Sequence, residues 1–187
     1  MELQAFLSQK NLLSPEECAV IDASFQGEVV PKGETIHTTS RFSKKLLFIE
    51  SGLLRVFYIK DGKDITHFFF DENYFIAPVN SIYYNKSERY EWTALEPCYV
   101  KTILYEDCMA LGERYPKLLK ILLDYSVQLL DLFSHKLNLL QFEKAFDRYQ
   151  IFLDMYPNLQ NRVSLGDTAS FLGVTQQTLS VVRAQGK

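Results

Sequence analysis

The strongest constraint on the fold lies between residues 164 and 185. The small residue Ala169 is followed four positions later by Gly173, which can adopt the left-handed backbone conformation that a sharp turn requires. Thr175 has a hydroxyl group that can cap the start of a second helix. Four apolar residues are spaced to pack the two helices together: Leu172, Val174, Leu179 and Val182. This spacing predicts a helix-turn-helix, which places its second helix in the DNA major groove; an ordinary helical hairpin is the alternative.

The composition excludes several classes of protein. The chain has 187 residues and is 47% hydrophobic, which is enough to bury the core of one large or two small domains. It has no run of about 18 uncharged apolar residues and no signal-peptide pattern, so we expect a cytoplasmic protein without a membrane partner. The cysteines and histidines are scattered: Cys18, Cys98, Cys108, His37, His67 and His135. They form neither a CxxC pair nor a metal-ligand set, so we expect no metal and no other cofactor.

The charge of the chain bears on its partners. A net charge of −3 is unusual for a DNA-binding protein, because such a protein must neutralise phosphate groups. Several acidic residues lie near the N-terminus, whereas residues 162–187 contain three basic residues and one acidic residue. We therefore expect weak non-specific DNA binding unless a dimer doubles the contacts.

The first two thirds of the chain change from helical to strand patterns. Ser14, Pro15 and Glu17 are spaced as a capping box at the start of a short helix. Beyond residue 29, apolar and polar side chains alternate in short runs, and the clearest predicted strands are residues 46–49, 53–59, 64–70, 90–95 and 98–104. Asp61 and Gly62 are typical of a tight hairpin turn. Many short strands with frequent turns predict an antiparallel sandwich or barrel.

From Glu106 the hydrophobic period becomes helical, and one long helix carries two apolar stripes. The first stripe contains Tyr115, Leu118, Leu122, Tyr125, Leu129 and Leu132. The second contains Leu119, Leu123, Ser126, Leu130, Phe133, Leu137 and Leu140. Two stripes require two partners, which can be the β-domain and the same helix of a second subunit; burial within one bundle is the alternative. We assign the dimer contact to Leu118, Leu122, Tyr125, Leu129 and Leu132.

A β-roll, a long apolar helix and a C-terminal helix-turn-helix, in this order, resemble the Crp/Fnr family of bacterial transcription regulators. The resemblance is carried by PKGE at residues 31–34, IESGLLRV at 49–56 and FLGVTQQTLS at 171–180. It covers nearly the whole chain, which looks like the short members that end just after the recognition helix. It implies an α+β fold with a jelly-roll-like antiparallel β-roll that senses an effector (1–112), a dimerisation helix (113–141) and a helix-turn-helix DNA-binding domain (142–187).

The resemblance also implies a homodimeric regulator, not an enzyme, that binds double-stranded DNA and has a small-molecule effector and RNA polymerase as possible partners. The family motif assigns the DNA contacts to Thr175, Gln176, Gln177, Ser180, Val181 and Arg183. Glutamine can pair with adenine through two hydrogen bonds, so Gln176 or Gln177 can read an A·T pair. Val181 can touch a thymine methyl group, and Arg183 can contact a phosphate. Solvated helix surface is the alternative for the glutamines.

The chain departs from the cyclic-nucleotide binders that it resembles. Their Gly-Glu pair, which holds the ribose, falls on Ala77 and Pro78, and their Arg-Ser pair, which holds the cyclic phosphate, falls near Glu88 and Arg89. Proline has no amide hydrogen to donate and Glu88 would repel a phosphate, so we expect no control by cyclic AMP. The candidate effector pocket contains Phe75, Ile76, Ala77, Arg89, Phe133 and Ser134; an aromatic core is the alternative.

Two other functions remain open. A β-roll that binds a ligand or a protein, and has lost useful DNA affinity, would explain the mild charge and the valine at position 181, where cyclic-AMP receptors have an arginine. A metalloenzyme of the cupin type also has a small β-barrel. It needs clustered metal ligands, however, and His37 and His67 each stand alone in the sequence.

Overall fold

The computed structural model describes residues 1–39 and 43–185. Within these ranges the helices are α1 (Leu3–Gln9), α2 (Pro15–Ala23), α3 (Val79–Tyr83), α4 (Tyr105–Arg114), α5 (Pro116–Phe142), α6 (Ala145–Met155), α7 (Leu165–Leu172) and α8 (Gln176–Gln185). The strands are β1 (Gln26–Val30), β2 (Thr35–His37), β3 (Lys45–Ser51), β4 (Leu54–Lys60), β5 (Lys63–Phe70), β6 (Phe75–Ile76), β7 (Glu91–Ala94) and β8 (Cys98–Leu104). In the described ranges, no helix is long and apolar enough to cross a membrane.

The chain forms two compact units. The first, here called the β-roll unit, contains Met1–Val56 and Phe69–Tyr125. The second, here called the helical unit, contains Phe57–Phe68 and Ser126–Lys187. The tip of the β4–β5 hairpin is thus grouped with the C-terminal helices, and α5 contributes to both units. This division differs from the boundaries expected at residues 112 and 141.

The strands form two antiparallel four-stranded sheets, in the orders β1-β8-β3-β6 and β2-β7-β4-β5. β3 lies between β8 and β6, and its five middle residues are all buried, as its apolar sequence requires. Phe48 on β3 packs its ring against Phe75 on β6 and Phe6 on α1, with centroid distances of 4.7 and 5.1 Å. The predicted α+β fold with an antiparallel, jelly-roll-like β-roll is confirmed.

Local sequence signals account for the caps and turns of this unit. Ser14 and Glu17 form the predicted capping box of α2. Asp61 and Gly62 have φ values of 52° and 73°, which is the left-handed pair that a type I′ hairpin turn needs. Three strands were not predicted: β2 and β6 are too short to show a period, and four of the five residues of β1 are exposed. Cys18, Cys98 and Cys108 are buried free thiols.

Helix α5 begins at Pro116, a position where proline costs no helical hydrogen bond. The structure corrects the predicted dimer stripe, because Leu118 and Tyr125 are only 1% and 8% exposed within this single chain. Leu122, Leu129 and Leu132 are half-buried. Apart from Val127, which lies beside Ser126, the apolar side chains exposed along the middle of α5 belong to the second stripe: Leu119, Leu123, Leu130, Phe133, Leu137 and Leu140. The surface available to a partner is therefore the second stripe.

The helical unit has an aromatic core of its own. Helices α6, α7 and α8 pack against one another. The ring of Phe171 on α7 lies 5.5 Å from that of Phe152 and 5.7 Å from that of Tyr156, measured between centroids. Because these rings join α6 to α7, the helix-turn-helix is supported from behind by α6.

Candidate nucleic-acid interface

The predicted helix-turn-helix consists of α7, a turn and α8. Gly173 ends α7 in the left-handed conformation, with φ 65° and ψ 33°. The next residue, Val174, donates its amide hydrogen to the carbonyl of Ala169 at 3.0 Å, which closes the turn. Of the predicted seam, Leu172, Leu179 and Val182 are at most 6% exposed, whereas Val174 is only half-buried; Ala169 joins the seam at 2% exposed. The predicted turn and three of the four predicted seam residues are confirmed.

Helix α8 presents one uninterrupted exposed face. Gln177, Ser180, Val181 and Ala184 follow the three- and four-residue spacing of a single helix side, and all four are exposed. Val181, the apolar member of this face, is 58% exposed. Since Leu179 and Val182 hold the opposite side of α8 in the core, this exposed face is held outward.

Two predicted DNA-contacting residues have partners inside the motif. The hydroxyl of Thr175 accepts a hydrogen bond from the amide of Thr178 at 3.1 Å, so it caps α8 as predicted. The side chain of Gln176 folds back towards α7, because its amide nitrogen lies 3.0 Å from the place a Cβ atom would occupy at Gly166. Gln177 is therefore better placed than Gln176 to read a base.

Arg183 is half-buried and oriented by a tyrosine of α6. Its Nε atom donates to the hydroxyl of Tyr149 at 3.0 Å, and its guanidinium carbon lies 5.6 Å from the centre of the same ring. This contact uses one edge of the guanidinium group, and the terminal nitrogens are the atoms available to a phosphate.

Arg148 on α6 is a structural residue of this interface that the sequence analysis missed. Its guanidinium group donates to the carbonyls of Leu140 at 3.1 Å, Glu143 at 2.9 Å and Leu172 at 3.0 Å. Leu140 lies in the last turn of α5, Glu143 directly follows that helix, and Leu172 is the last residue of α7. One side chain thus satisfies carbonyls that helix ends leave without an intrahelical partner. A lone arginine in an amphipathic helix gives no sequence signal of such a role.

The predicted effector residues do not come together in the β-roll unit. Phe75 and Ile76 are 4% and 6% exposed, and the Phe75 ring packs on Phe48 and Tyr125, so both residues are corrected to core positions. Ala77 is half-buried. Arg89 is exposed and lines a surface depression of about 480 Å³ with Asn80, Tyr84, Lys86, Ser87 and Tyr90. Phe133 and Ser134 are exposed residues of the helical unit.

Glu88 lies beside α3, near the position where the family resemblance implies a phosphate-binding arginine. It is only 8% exposed, and its carboxylate accepts hydrogen bonds from the amide of Ser81 at 3.0 Å and from the Asn80 side chain at 3.1 Å. The loop before β7 therefore places a negative charge inside the fold and leaves Arg89 on the surface.

The β-roll unit also contains a cavity of about 340 Å³ that the sequence analysis did not identify. Residues of both charges and an aromatic pair line it, among them Glu28, Glu34, His37, Lys44, Lys45 and Trp92. The His37 ring is buried and lies 4.8 Å from the Trp92 ring, centroid to centroid. These residues lie far apart in the sequence, so no local motif marks them. Among the described residues, no cluster of three His, Cys, Asp or Glu side chains could hold a metal ion.

Comparison with solved structures identifies the architecture. CLP of Xanthomonas campestris is 18% identical, covers 92% of this chain and 93% of its own, and superimposes with a TM-score of 0.73. FixK2 of Bradyrhizobium japonicum is 16% identical, with coverages of 86% and 83% and a TM-score of 0.72. The chain has a Crp/Fnr-type fold. The catabolite activator protein of Thermus thermophilus is 23% identical, with coverages of 92% and 83% and a TM-score of 0.59. No protein-family model matches this sequence, and no curated protein does.

Proposed function

We propose that this protein is a transcription regulator of the Crp/Fnr type that binds DNA as a homodimer and is not controlled by cyclic AMP. The observation that carries the proposal is the exposed face of α8, where Gln177, Ser180 and Val181 stand opposite a buried seam. A short helix held in this way can enter a major groove with its polar and methyl-bearing side chains towards the bases. The protein acts in the cytoplasm on double-stranded DNA.

Each group on this face has a chemical role. The Gln177 amide can donate to N7 and accept from N6 of adenine, and the Val181 side chain can contact a thymine methyl group. The Ser180 hydroxyl and the terminal nitrogens of Arg183 suit phosphate oxygens, with Tyr149 fixing the arginine. Thr175 and Gln176 lie at the start of α8 and contribute further contacts to the same DNA backbone.

The homodimer is proposed to form along α5 through its exposed stripe. Leu119, Leu123, Ser126, Leu130, Phe133, Leu137 and Leu140 follow alternating steps of four and three residues. This spacing is the seven-residue repeat of a coiled coil, in which each residue of the stripe packs near its own copy on a second, parallel helix. A monomer that exposed so continuous an apolar stripe would be unusual. Two copies related by a two-fold axis would present two α8 helices to an inverted repeat.

Exclusion of cyclic AMP rests on the charge beside α3. The Glu88 carboxylate accepts the amide hydrogen of Ser81, so this amide is occupied and a phosphate group there would meet a negative charge. Arg89 is exposed and takes no part in the buried contact between Glu88 and Ser81. A different small-molecule effector is accommodated best by the 340 Å³ cavity of the β-roll, whose walls carry both charges. RNA polymerase is the proposed protein partner at promoters.

Selection of bound DNA from a random pool at low and moderate salt tests the regulator. We expect an inverted repeat whose half-sites lie about one helical turn apart. In Gln177→Ala, base preference at one half-site position should relax, whereas Arg183→Ala should weaken all sequences alike. Equal losses on every sequence for Gln177→Ala would refute its role as a base reader.

The alternative is a β-roll sensor that has lost useful DNA affinity. The net charge of −3 favours this alternative, because phosphate contacts dominate DNA affinity. Absence of any enriched sequence in the selection, with only salt-sensitive background binding, would support the sensor and contradict the regulator.

A further inference from the structure

Lys136 of α5 is buried in an environment that is unusual for a charged side chain. It is only 6% exposed. Its amine donates to the carbonyl of Thr66 at 3.4 Å and to the carbonyl of His67, both on β5. The nitrogen also lies 4.8 Å from the centre of the Phe68 ring and 4.1 Å from that of Phe171 on α7. One amine therefore joins α5, the β4–β5 hairpin and the first helix of the helix-turn-helix.

The described part of the chain offers the buried Lys136 amine carbonyl oxygens and aromatic rings but no carboxylate partner. Among the described residues, no carboxylate lies within salt-bridge distance of Lys136. The charged or titratable groups of β5 and α7 are Lys63, Asp64, His67 and Asp167, and those within five residues of Lys136 on α5 are Asp131 and His135. Asp131 and His135 are exposed and pair with each other at 3.8 Å. Burial of an unpaired ammonium group is costly, so the neutral form is favoured.

Burial lowers the pKa of Lys136 to about 7. Burial, and then the charge of Lys136, lowers the pKa of His67 to about 4, so His67 is neutral near pH 7. Lys136 can therefore exchange its proton around pH 7, whereas His67 stays neutral there. A neutral amine keeps two N–H donors, which matches the two carbonyls of β5 that it contacts.

A second contact joins the hairpin to α7 without any titratable group. The amide of Thr66 donates to the hydroxyl of Ser170 at 2.9 Å, and this hydroxyl donates to the carbonyl of Asp64 at 3.4 Å. Ser170 belongs to α7, three residues before the turn of the helix-turn-helix. The Thr66 amide thus reports directly whether α7 is docked on the hairpin.

We propose that Lys136 is a positioning residue for DNA binding, which docks α7 on the β4–β5 hairpin most firmly when its amine is neutral. This inference rests on the proposed DNA-binding function. Docking uses Ser170 and Phe171 and leaves Gln177, Ser180 and Val181 of α8 exposed, so the docked form is the one that presents the reading face. When docking is lost, the hairpin no longer holds α7, and α8, which packs on α7, loses its fixed orientation.

The sign of the pH dependence follows from linkage. The undocked chain, with Lys136 in water, keeps its proton up to a pKa near the ordinary lysine value of about 10.4. Because docking lowers that pKa, the docked form binds fewer protons between about pH 7 and pH 10. Docking therefore strengthens as the pH rises through 7 and weakens as the pH falls towards 6.

Hydrogen exchange of the Thr66 amide, followed by NMR on the full chain at pH 6.2 and 8.2, tests the docking step without DNA. After correction for intrinsic exchange, protection in the wild type should rise about tenfold between these pH values. Lys136→Met, a neutral chain of similar length, should be strongly protected at both. Lys136→Arg, which stays charged, should be weakly protected at both. An equal rise in the wild type and in Lys136→Met, or no rise in the wild type, overturns the proposal.

Affinity for the selected operator, measured at the same two pH values, tests the consequence for DNA. Between pH 6.2 and 8.2, wild-type affinity should rise about three- to tenfold relative to Lys136→Met, which keeps all three histidines. Should Lys136→Arg not fold, the wild type and Lys136→Met still decide the question. Failure of every variant to bind DNA at either pH would contradict the proposed function, whereas the exchange of Thr66 would still decide the role of Lys136.

Discussion

Leu130→Ala should weaken the proposed dimer without unfolding the subunit. Leu130 is 64% exposed in the single chain and stands in the middle of the second stripe of α5. A symmetric contact along this helix would bring it close to its own copy, so one substitution removes apolar contact from both subunits. Leu118 of the first stripe is 1% exposed, and its truncation should lower folding stability instead.

The magnitude follows from the exposed fraction. Leucine to alanine removes three carbon groups, worth about 2.4 kcal/mol at roughly 0.8 kcal/mol each if fully buried. Scaling by the 64% of Leu130 that a partner can cover leaves about 1.5 kcal/mol per subunit, or about 3 kcal/mol per dimer. The dimer dissociation constant should then rise about 100-fold.

Sedimentation equilibrium of the wild type and the variant over a range of concentrations measures this constant. Leu104→Ala is the matched control, because Leu104 is 49% exposed and belongs to β8 rather than to α5. A dissociation constant that changes equally in Leu104→Ala and Leu130→Ala, or in neither, would refute the assignment of the dimer to the second stripe.

Two further substitutions test the turns and helix ends. Gly52→Ala should lower the free energy of unfolding by about 3 kcal/mol, because φ is 100° and the added Cβ would lie 2.7 Å from the Cα of Cys98. Gly62→Ala, where φ is also positive but the added Cβ would meet open space, should cost only about 1 kcal/mol. Urea titration of both variants measures the two losses, and equal losses would contradict the packing argument. Arg148→Met should cost about 2–3 kcal/mol in thermal unfolding by loss of three carbonyl contacts, and Arg148→Lys, which keeps the charge, nearly as much. Full stability in Arg148→Lys would show that charge alone matters.

The helix-turn-helix was predictable because its signals are local. The left-handed conformation of Gly173, the cap from Thr175 and the seam around Leu179 each involve residues within about a turn or two of helix. The same holds for the Asp61–Gly62 hairpin and the capping box at Ser14. In each case the backbone preference of one residue type is satisfied by its near neighbours in the chain.

The candidate site was only partly predictable. The motif fixed the place of Gln177 and Val181 on α8, where both are exposed, and their contact with DNA stays a prediction. It could not identify Arg148 or Lys136, since a single basic residue on a helix carries no signal of the carbonyls that it will meet. It also assigned Phe75 and Ile76 to a pocket, although the packing of distant rings makes them core residues.

The sequence by itself determined five of the described strands, the turns at Asp61–Gly62 and Gly173, and the two apolar stripes of α5. Only the tertiary structure decided which stripe is covered within the chain, because burial depends on residues brought together from far apart. Lys136 and Thr66 show the same division: they are separated by 70 positions, yet they are joined by a hydrogen bond. Hydrophobic period and turn chemistry act over a few residues, whereas burial, charge compensation and helix docking depend on the packed chain as a whole.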